Sequence, residues 1–318
     1  MTKQMPANVF PPQRASKLAT EEVASLQGTT PGLVTGIADF DELLYPLRSN
    51  ICIIHGITNH GKSTLADIVA ENNMPKPEDE EIIVKVLLED TIEEQVIREA
   101  STRSMPFLSV SEITSGKLSG DQETTFKKAV MQLAVQPVWR IGNSRMDYRT
   151  DKRADVNMIF DAIDWIRTNQ NKKIKLVVID YFQRIKAQNR GDVRQMYVEQ
   201  VEKIDAMAQG FGCPVLLLSQ SSREANKAKR VPLEYDLSET KMLEDAARTI
   251  IVSYRPHIHH GVDAIWDYQG KSIYITDHNF ILLGIQKQKY RESPIYRLFK
   301  TNEQRKMVRV ELENLLDR

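Results

Sequence analysis

The octapeptide Gly56-Ile57-Thr58-Asn59-His60-Gly61-Lys62-Ser63 follows an apolar run, Ile51–Ile54, and precedes a stretch, Thr64–Asn72, with helical apolar spacing. A GxxxxGK[ST] pattern set between a strand and a helix is a phosphate-binding loop. Its glycines let successive backbone N–H groups wrap phosphate oxygens, and the N-terminus of the helix favours their negative charge. The candidate nucleotide-binding residues are therefore Gly56, Thr58, Asn59, His60, Gly61, Lys62, Ser63 and Thr64. Lys62 is expected to reach the β and γ oxygens, and Ser63 to offer its hydroxyl to a metal, so ATP and Mg²⁺ are the expected cofactors. A chance glycine turn before a helix is the competing explanation, and the strand–loop–helix setting argues against it.

Working outward, such a loop needs a carboxylate for the metal at the end of a neighbouring buried strand. Ile174-Lys175-Leu176-Val177-Val178-Ile179-Asp180 supplies one, which makes Asp180 both a nucleotide-site residue and, with Ser63, a metal ligand. A lone Asp after a strand is more often a cap, but the apolar run before it and the loop at 56–63 reverse that preference. Water must also be activated, and Glu89 ends the strand-like Ile83–Leu88. Asp90-Thr91-Ile92-Glu93 reads as a capping box, which accounts for Asp90 and leaves Glu89 for chemistry; a solvated loop glutamate is the plain alternative. Gln220, closing the apolar run Val215–Leu218, is placed where a polar side chain can touch a nucleotide.

Strand-like segments alternate with helical ones from Gly32 onward, which predicts a mainly parallel sheet flanked by helices. The strands read from the sequence are Ile51–His55, Ile82–Leu88, Val138–Ile141, Ile174–Ile179, Val215–Ser219 and Thr249–Val252, with a hairpin at 264–275 leading to Ile281–Ile285. Period-3.6 apolar positions mark helices at Phe126, Val130 and Leu133, at Ile159, Ile163 and Ile166, and at Val201, Ile204, Met207 and Phe211. Residues 1–31 form a Pro-rich arm with one short helix near Ser16–Gln27, expected to dock on the body or on a neighbouring subunit. Residues 32–318 are read as a single ATPase domain. Lys plus Arg balances Asp plus Glu at 43 each, so nucleic-acid binding has to come from local patches. Three basic clusters offer them: Arg184, Lys186, Arg190 and Arg194; Arg223, Lys227, Lys229 and Arg230; and Lys287, Lys289, Arg291, Arg297 and Lys300. The first two follow strand ends on the nucleotide side, where loops of a ring can contact phosphates of a single strand. Cys52 and Cys213 lie in or beside apolar runs without a CxxC pattern and read as reduced packing residues in a cytosolic protein. No apolar run approaches membrane-span length, and no signal peptide is expected.

The order of these motifs resembles the C-terminal motor domain of the DnaB family of bacterial and phage replicative helicases, from about Gly32 to Lys300. Thr35-Gly36-Ile37-Ala38-Asp39-Phe40-Asp41 looks like its TGxxxLD entry, and Leu87-Leu88-Glu89-Asp90 like its SLEM element. Ile179-Asp180-Tyr181-Phe182-Gln183 is similar to IDYLQ, and Leu218-Ser219-Gln220-Ser221-Ser222-Arg223 to LSQLSR. Asp236-Leu237-Ser238-Glu239 with Leu243-Glu244-Asp245-Ala246-Ala247 resembles DLRES…IEQDAD, Ser253-Tyr254-Arg255 the strand-end YR, and Lys289-Tyr290-Arg291-Glu292-Ser293-Pro294 KxRxGP. The resemblance implies a RecA-like fold, a hexameric ring, Glu89 as catalytic base, and Lys289 and Arg291 reaching the γ-phosphate held by the next subunit. It also implies single-stranded DNA held by a loop near Glu239 and Lys241, a loader or primase as partner, and the cytoplasm of a bacterium, or of a host if phage-encoded. The chain departs from the pattern at Ser238, where the family has Arg, at Lys241, where it has Gly, and at Arg248, where it has Asp; the glycine after GP is missing beyond Pro294. Residues 1–31 leave room for little more than the family's linker helix, so its N-terminal collar is not expected. A RecA- or RadA-like recombination ATPase and a non-unwinding ATP-dependent clamp or loader are the other activities the motifs allow.

Overall fold

Residues 51–56, 215–220 and 249–254 are almost wholly apolar, as strands covered on both faces must be, and they lie side by side at the centre of the sheet. The computed structural model describes residues 11–26, 32–146, 154–186, 193–237, 241–268, 270–302 and 306–310. In chain order the first half runs α1 (Pro12–Leu26), α2 (Ala38–Asp41), β1 (Ile51–Gly56), α3 (Lys62–Asn72), β2 (Glu81–Leu87), α4 (Ile92–Arg103), α5 (Val110–Thr114), α6 (Gly120–Ala134), β3 (Val138–Gly142) and α7 (Val156–Asn169). It continues with β4 (Lys173–Asp180), α8 (Val193–Phe211), β5 (Val215–Gln220), α9 (Arg223–Lys227), α10 (Lys241–Ala246), β6 (Thr249–Tyr254) and α11 (Pro256–His260). The last part is β-rich: β7 (Ala264–Tyr268), β8 (Lys271–Ile275), β9 (Phe280–Lys287), β10 (Ile295–Thr301) and β11 (Met307–Arg309).

Nine strands form one sheet in the order β11-β10-β9-β6-β1-β5-β4-β2-β3. The six from β6 to β3 are parallel, while β9 runs antiparallel to β6, and β10 and β11 continue antiparallel beyond it. Successive side chains of a strand point to opposite faces, so β1 splits its apolar residues between two layers. Ile51 and Ile53 pack with Ile159, Ile163 and Ile166 of α7 and Val201, Ile204 and Met207 of α8. Cys52 and Ile54 pack with Leu65 and Val69 of α3 and with Phe40. Both cysteines are buried free thiols, and burial pushes Cys213 up to about 12, in keeping with a packing role. Among the described residues no helix is long and apolar enough to cross a membrane.

The expected strands and helices form, with no end moved by more than four residues. The hairpin forms as its own two-stranded sheet. Two strands were not foreseen: β10 and β11 lie in a segment whose Arg297 and Lys300 read as part of a basic cluster. Their half-buried pattern, with only Leu298 and Phe299 fully inside, hides the strand signal behind charge. In α1, Leu18 and Val23 are 46% and 57% exposed, so the helix does not bury them on its own chain.

One polar knot runs through the parallel half. Lys85, inside β2, donates to Asp67 Oδ1 of α3 at 2.7 Å and to Glu99 Oε1 of α4 at 2.6 Å. Gln95 donates to the same two oxygens at 3.1 and 2.9 Å, and Arg140 of β3 pairs with the other Glu99 oxygen. Removing one partner of a buried ion set strands the others in a low dielectric at a cost of about 3–5 kcal/mol. Lys85→Met is therefore expected to lower unfolding stability by about that amount in urea titrations at neutral pH; a loss under about 1 kcal/mol would show that the knot is not holding the fold.

Candidate nucleotide-binding site

Because β1, β2, β4, β5 and β6 are parallel, their last residues and the loops that follow gather at one edge of the sheet, the place where open α/β sheets bind ligands. A cavity of about 460 Å³ opens there. The loop after β1 contributes Thr58, Asn59, Gly61, Lys62, Ser63 and Thr64; β2 delivers Glu89 and Asp90, β4 Asp180, β5 Gln220 and β6 Arg255. α4 adds Arg98 from the side.

The loop itself is shaped by glycine at two points. Gly61 takes φ 92° as the N-cap of α3, a left-handed conformation that side chains resist. At Gly56 a Cβ would come 2.4 Å from the Ser253 carbonyl oxygen, so only glycine allows β1 to turn there. Ser253 Oγ donates to the His60 carbonyl at 2.5 Å and the Arg255 N–H to His60 Nδ1 at 3.0 Å, which fastens the loop to the end of β6. His60 and Gly56, expected among the nucleotide contacts, do not line the cavity. The His60 ring is fully buried on the other side, 4.9 Å from both the Tyr254 and His259 rings, and serves to hold the loop.

Lys62 Nζ donates to the carbonyls of Gly56 and Ile57, both at 3.0 Å. Burial pulls its pKa down to about 8, against the opposing pull of Asp180 and Glu89. Ser63 Oγ donates to Asp180 Oδ2 at 2.6 Å, and burial pushes the Asp180 carboxyl up to about 6. A serine hydroxyl and a carboxylate within one hydrogen bond are hard oxygen donors suited to Mg²⁺. Beside them an ammonium and a helix N-terminus suit a polyphosphate. The residues present fit an Mg²⁺–nucleotide.

Asp90 is not part of a capping box, contrary to the expectation from Asp90-Thr91-Ile92-Glu93. The capping box of α4 is Thr91 with Glu94, one residue further on: Thr91 Oγ1 accepts from the Glu94 N–H, and the Glu94 carboxylate accepts from the Thr91 N–H. Asp90 instead pairs with Arg98. Both Glu89 and Asp90 face the cavity, and Asp90 is the one already engaged by a cation. Arg98 carried no signal in the sequence, since its approach depends on how α4 packs. Arg255 did, because it follows a strand end as Glu89 does.

Lys289 and Arg291 are absent from this cavity. Lys287 of β9 stands opposite Ile250 at the start of β6, so the segment after β9 emerges at the other edge of the sheet. There Arg291 Nη1 donates to the carbonyls of Glu42 at 2.5 Å and Leu44 at 3.1 Å. Lys289 lies 5.1 Å from the Tyr290 ring centroid, in a small pocket that also holds Arg48 and Arg248. Of the expected DNA contacts, Arg184 and Arg223 are exposed just past β4 and β5, on the nucleotide edge, with Arg184 Nε donating to Tyr181 OH at 3.0 Å. Arg190 and Glu239 lie outside the described residues. Arg194 and Lys241 are placed by their backbone in the first turns of α8 and α10. Two members of the basic clusters are structural: Arg230 pairs with Asp236, and Lys300 with Asp277.

Fold and site together define a P-loop nucleotide-binding domain with a RecA-like sheet. Residues 32–297 match the DnaB-like helicase C terminal domain, and the chain belongs to that family. It is 24% identical over 260 residues to the replicative DNA helicase DnaB of Buchnera aphidicola subsp. Schizaphis graminum (strain Sg), covering 78% of this chain and 53% of that protein. To the DnaB of Pasteurella multocida (strain Pm70) it is 25% identical over 232 residues, covering 72% and 47%. The chain thus spans about half the length of these helicases. Among solved structures, a DnaB-like replicative helicase described with its interactions with primase gives a TM-score of 0.72 at 19% identity, with 96% of this chain and 68% of that one covered. A separately solved ATPase domain gives 0.73 at 20% identity over 96% and 100%. The RadB recombinase gives 0.52 at 15% over 88% and 100%. At these identities the structures speak to the fold alone.

If the loop holds phosphates, Lys62→Ala should weaken binding of a fluorescent ATP analogue at least tenfold, from the roughly 1.5–3 kcal/mol of a charged hydrogen bond, while circular dichroism stays unchanged. Undiminished binding would put the phosphates elsewhere.

Proposed function

We propose that this chain is the ATP-driven motor of a ring-forming replicative DNA helicase, hydrolysing ATP at subunit boundaries to move along single-stranded DNA and unwind duplex. The observation that carries the proposal is the meeting of Lys62, Ser63, Asp180 and Glu89 in one cavity of a chain that belongs to the DnaB-like family. Lys62 and the N-terminus of α3 hold the phosphates, and Ser63 and Asp180 hold Mg²⁺, which when bound neutralises charge on the β and γ oxygens. Glu89 accepts the proton of the attacking water, and Gln220 sits at the end of β5 to report on the nucleotide. Glu89→Gln should bind ATP with near-parental affinity and turn it over at least a hundredfold more slowly, in line with the loss of general-base catalysis. Hydrolysis at the parental rate would move the base to Asp90 or another acid.

Lys289 and Arg291 cannot serve the cavity of their own chain from the far edge of the sheet, and this supports a role at the cavity of the next subunit. A guanidinium there stabilises charge on the transferred phosphoryl group, with Lys289 beside it. Arg184, Arg190, Arg194, Arg223, Glu239 and Lys241 are proposed to line the channel around a single strand, mainly through its phosphates, so affinity should fall steeply with salt. The exposed apolar residues of α1 are proposed to dock on a neighbouring subunit. A loader or a primase is the proposed partner, and the cytoplasm of a bacterium or of a phage host the proposed location.

Mixing two inactive variants tests the shared site. Arg291→Ala and Lys62→Ala subunits, each inactive alone, should recover partial ATPase activity when assembled together, because some boundaries then pair an intact loop with an intact guanidinium. Mixed rings that form without any recovery would remove Arg291 from the reaction.

A further inference from the structure

His55 has no place in the nucleotide cavity, yet it is fully buried in the central strand directly before the phosphate loop. Its Nε2 lies 2.6 Å from Gln286 Oε1 on β9, and its Nδ1 lies 3.1 Å from Ser221 Oγ. The Gln286 amide nitrogen in turn lies 2.6 Å from the Pro232 carbonyl oxygen. A carbonyl only accepts, so the orientation of the Gln286 amide is fixed, and Oε1 must be what faces His55. Against that oxygen Nε2 has to carry the proton. Burial holds the imidazole neutral by pulling its pKa to about 4, so Nδ1 is bare and accepts from the Ser221 hydroxyl. Each donor therefore points the same way, from Ser221 to His55 to Gln286 to Pro232, and no link can reverse alone.

The two ends of this chain matter. Ser221 follows Gln220, which lines the cavity, and its N–H donates to the carbonyl of Gly56, the first residue of the phosphate loop, at 3.1 Å. Pro232 belongs to the loop that returns to Ser221 and Ser222: Leu237 pairs with Ser221, and the Ser222 N–H donates to the Asp236 carbonyl at 2.7 Å. The same loop carries Arg223, exposed on the nucleotide edge. Where the DnaB family pattern has Leu in LSQLSR, this chain has Ser221, so the link is built from a position that is apolar in that pattern.

We propose that His55 is a positioning residue that locks the loop of residues 222–237 to the phosphate loop, so that single-stranded DNA met by this loop at Arg223 is felt at the nucleotide cavity. This rests on the proposed helicase reading of both the cavity and the loop. His55→Leu breaks the chain at its centre, and Ser221→Ala breaks it gently at a half-buried end. His55→Gln keeps one donor and one acceptor and should act as the rescuing variant. In assembled full-length protein, kcat and KM for ATP without DNA should stay at parental values in all three. The factor by which single-stranded DNA raises kcat should fall at least about fivefold in His55→Leu and Ser221→Ala, the lower end of typical coupling between sites, and recover in His55→Gln. Ser221→Ala combined with His55→Leu should lose no more stimulation than either change alone, since both cut one chain. If His55→Leu does not fold, Ser221→Ala against the parent decides. Parental stimulation in the folded variants would reduce His55 to a packing residue and leave the helicase reading standing. A parent whose ATPase does not respond to single-stranded DNA would overturn both.

Discussion

Lys85 lies inside the sheet with its ammonium between the carboxylates of Asp67 and Glu99. Burial pulls its pKa down, but the two carboxylates more than offset this and leave it raised, so the charge persists in the interior. Such a group is tolerated only when its partners are held in place. The partners here are the two elements that frame the cavity. Asp67 is on α3, whose first turn carries Lys62 and Ser63, and Glu99 is on α4, which begins just after Glu89 and Asp90. One charged knot below them thus ties the phosphate loop to Glu89, the proposed catalytic acid. Arg98 and Gln95, on the same helix, carry the network upward to Asp90.

The direction of the strands then divides the labour. Six parallel strands bring their ends to one edge, which accumulates carboxylates and cations, and a charged ligand fits there. The antiparallel run from β6 to β9 sends Lys289 and Arg291 to the opposite edge. A single subunit therefore holds both halves of the proposed reaction at separate places, and only an arrangement of copies in which one edge meets the next subunit's other edge can join them. Heterologous contacts of that kind close into rings when the rotation between copies allows it.

Much of this was legible in the sequence. The phosphate loop and Asp180 were read from local pattern, and Glu89 and Gln220 from local pattern together with the family resemblance, because a strand, its terminal polar residue and a following helix are encoded within a dozen neighbouring residues, and parallel strands leave little freedom over where those ends go. The same local logic placed the capping box one residue early, since Asp90 and Thr91 are both good caps and only the pairing of Asp90 with Arg98 separates them. Charge misled at β10, where Arg297 and Lys300 masked a strand, and at Arg230 and Lys300, whose carboxylate partners lie 6 and 23 residues away.

By itself the sequence determined the sheet and the candidate chemistry it aligns: a loop suited to phosphates, a hydroxyl and a carboxylate suited to a metal, and an acid placed to act on water. Only the tertiary structure decided which side chains enter the cavity and which edge each cluster occupies. Arg98 turns in, His60 turns away onto Tyr254 and His259, and Arg291 settles on Glu42 and Leu44, 249 and 247 positions back along the chain. The reason is physical. Spacing and periodicity encode the face of an element on which a residue lies, whereas its partner across the fold follows from how strands pair and helices pack, and that is fixed only when distant segments meet.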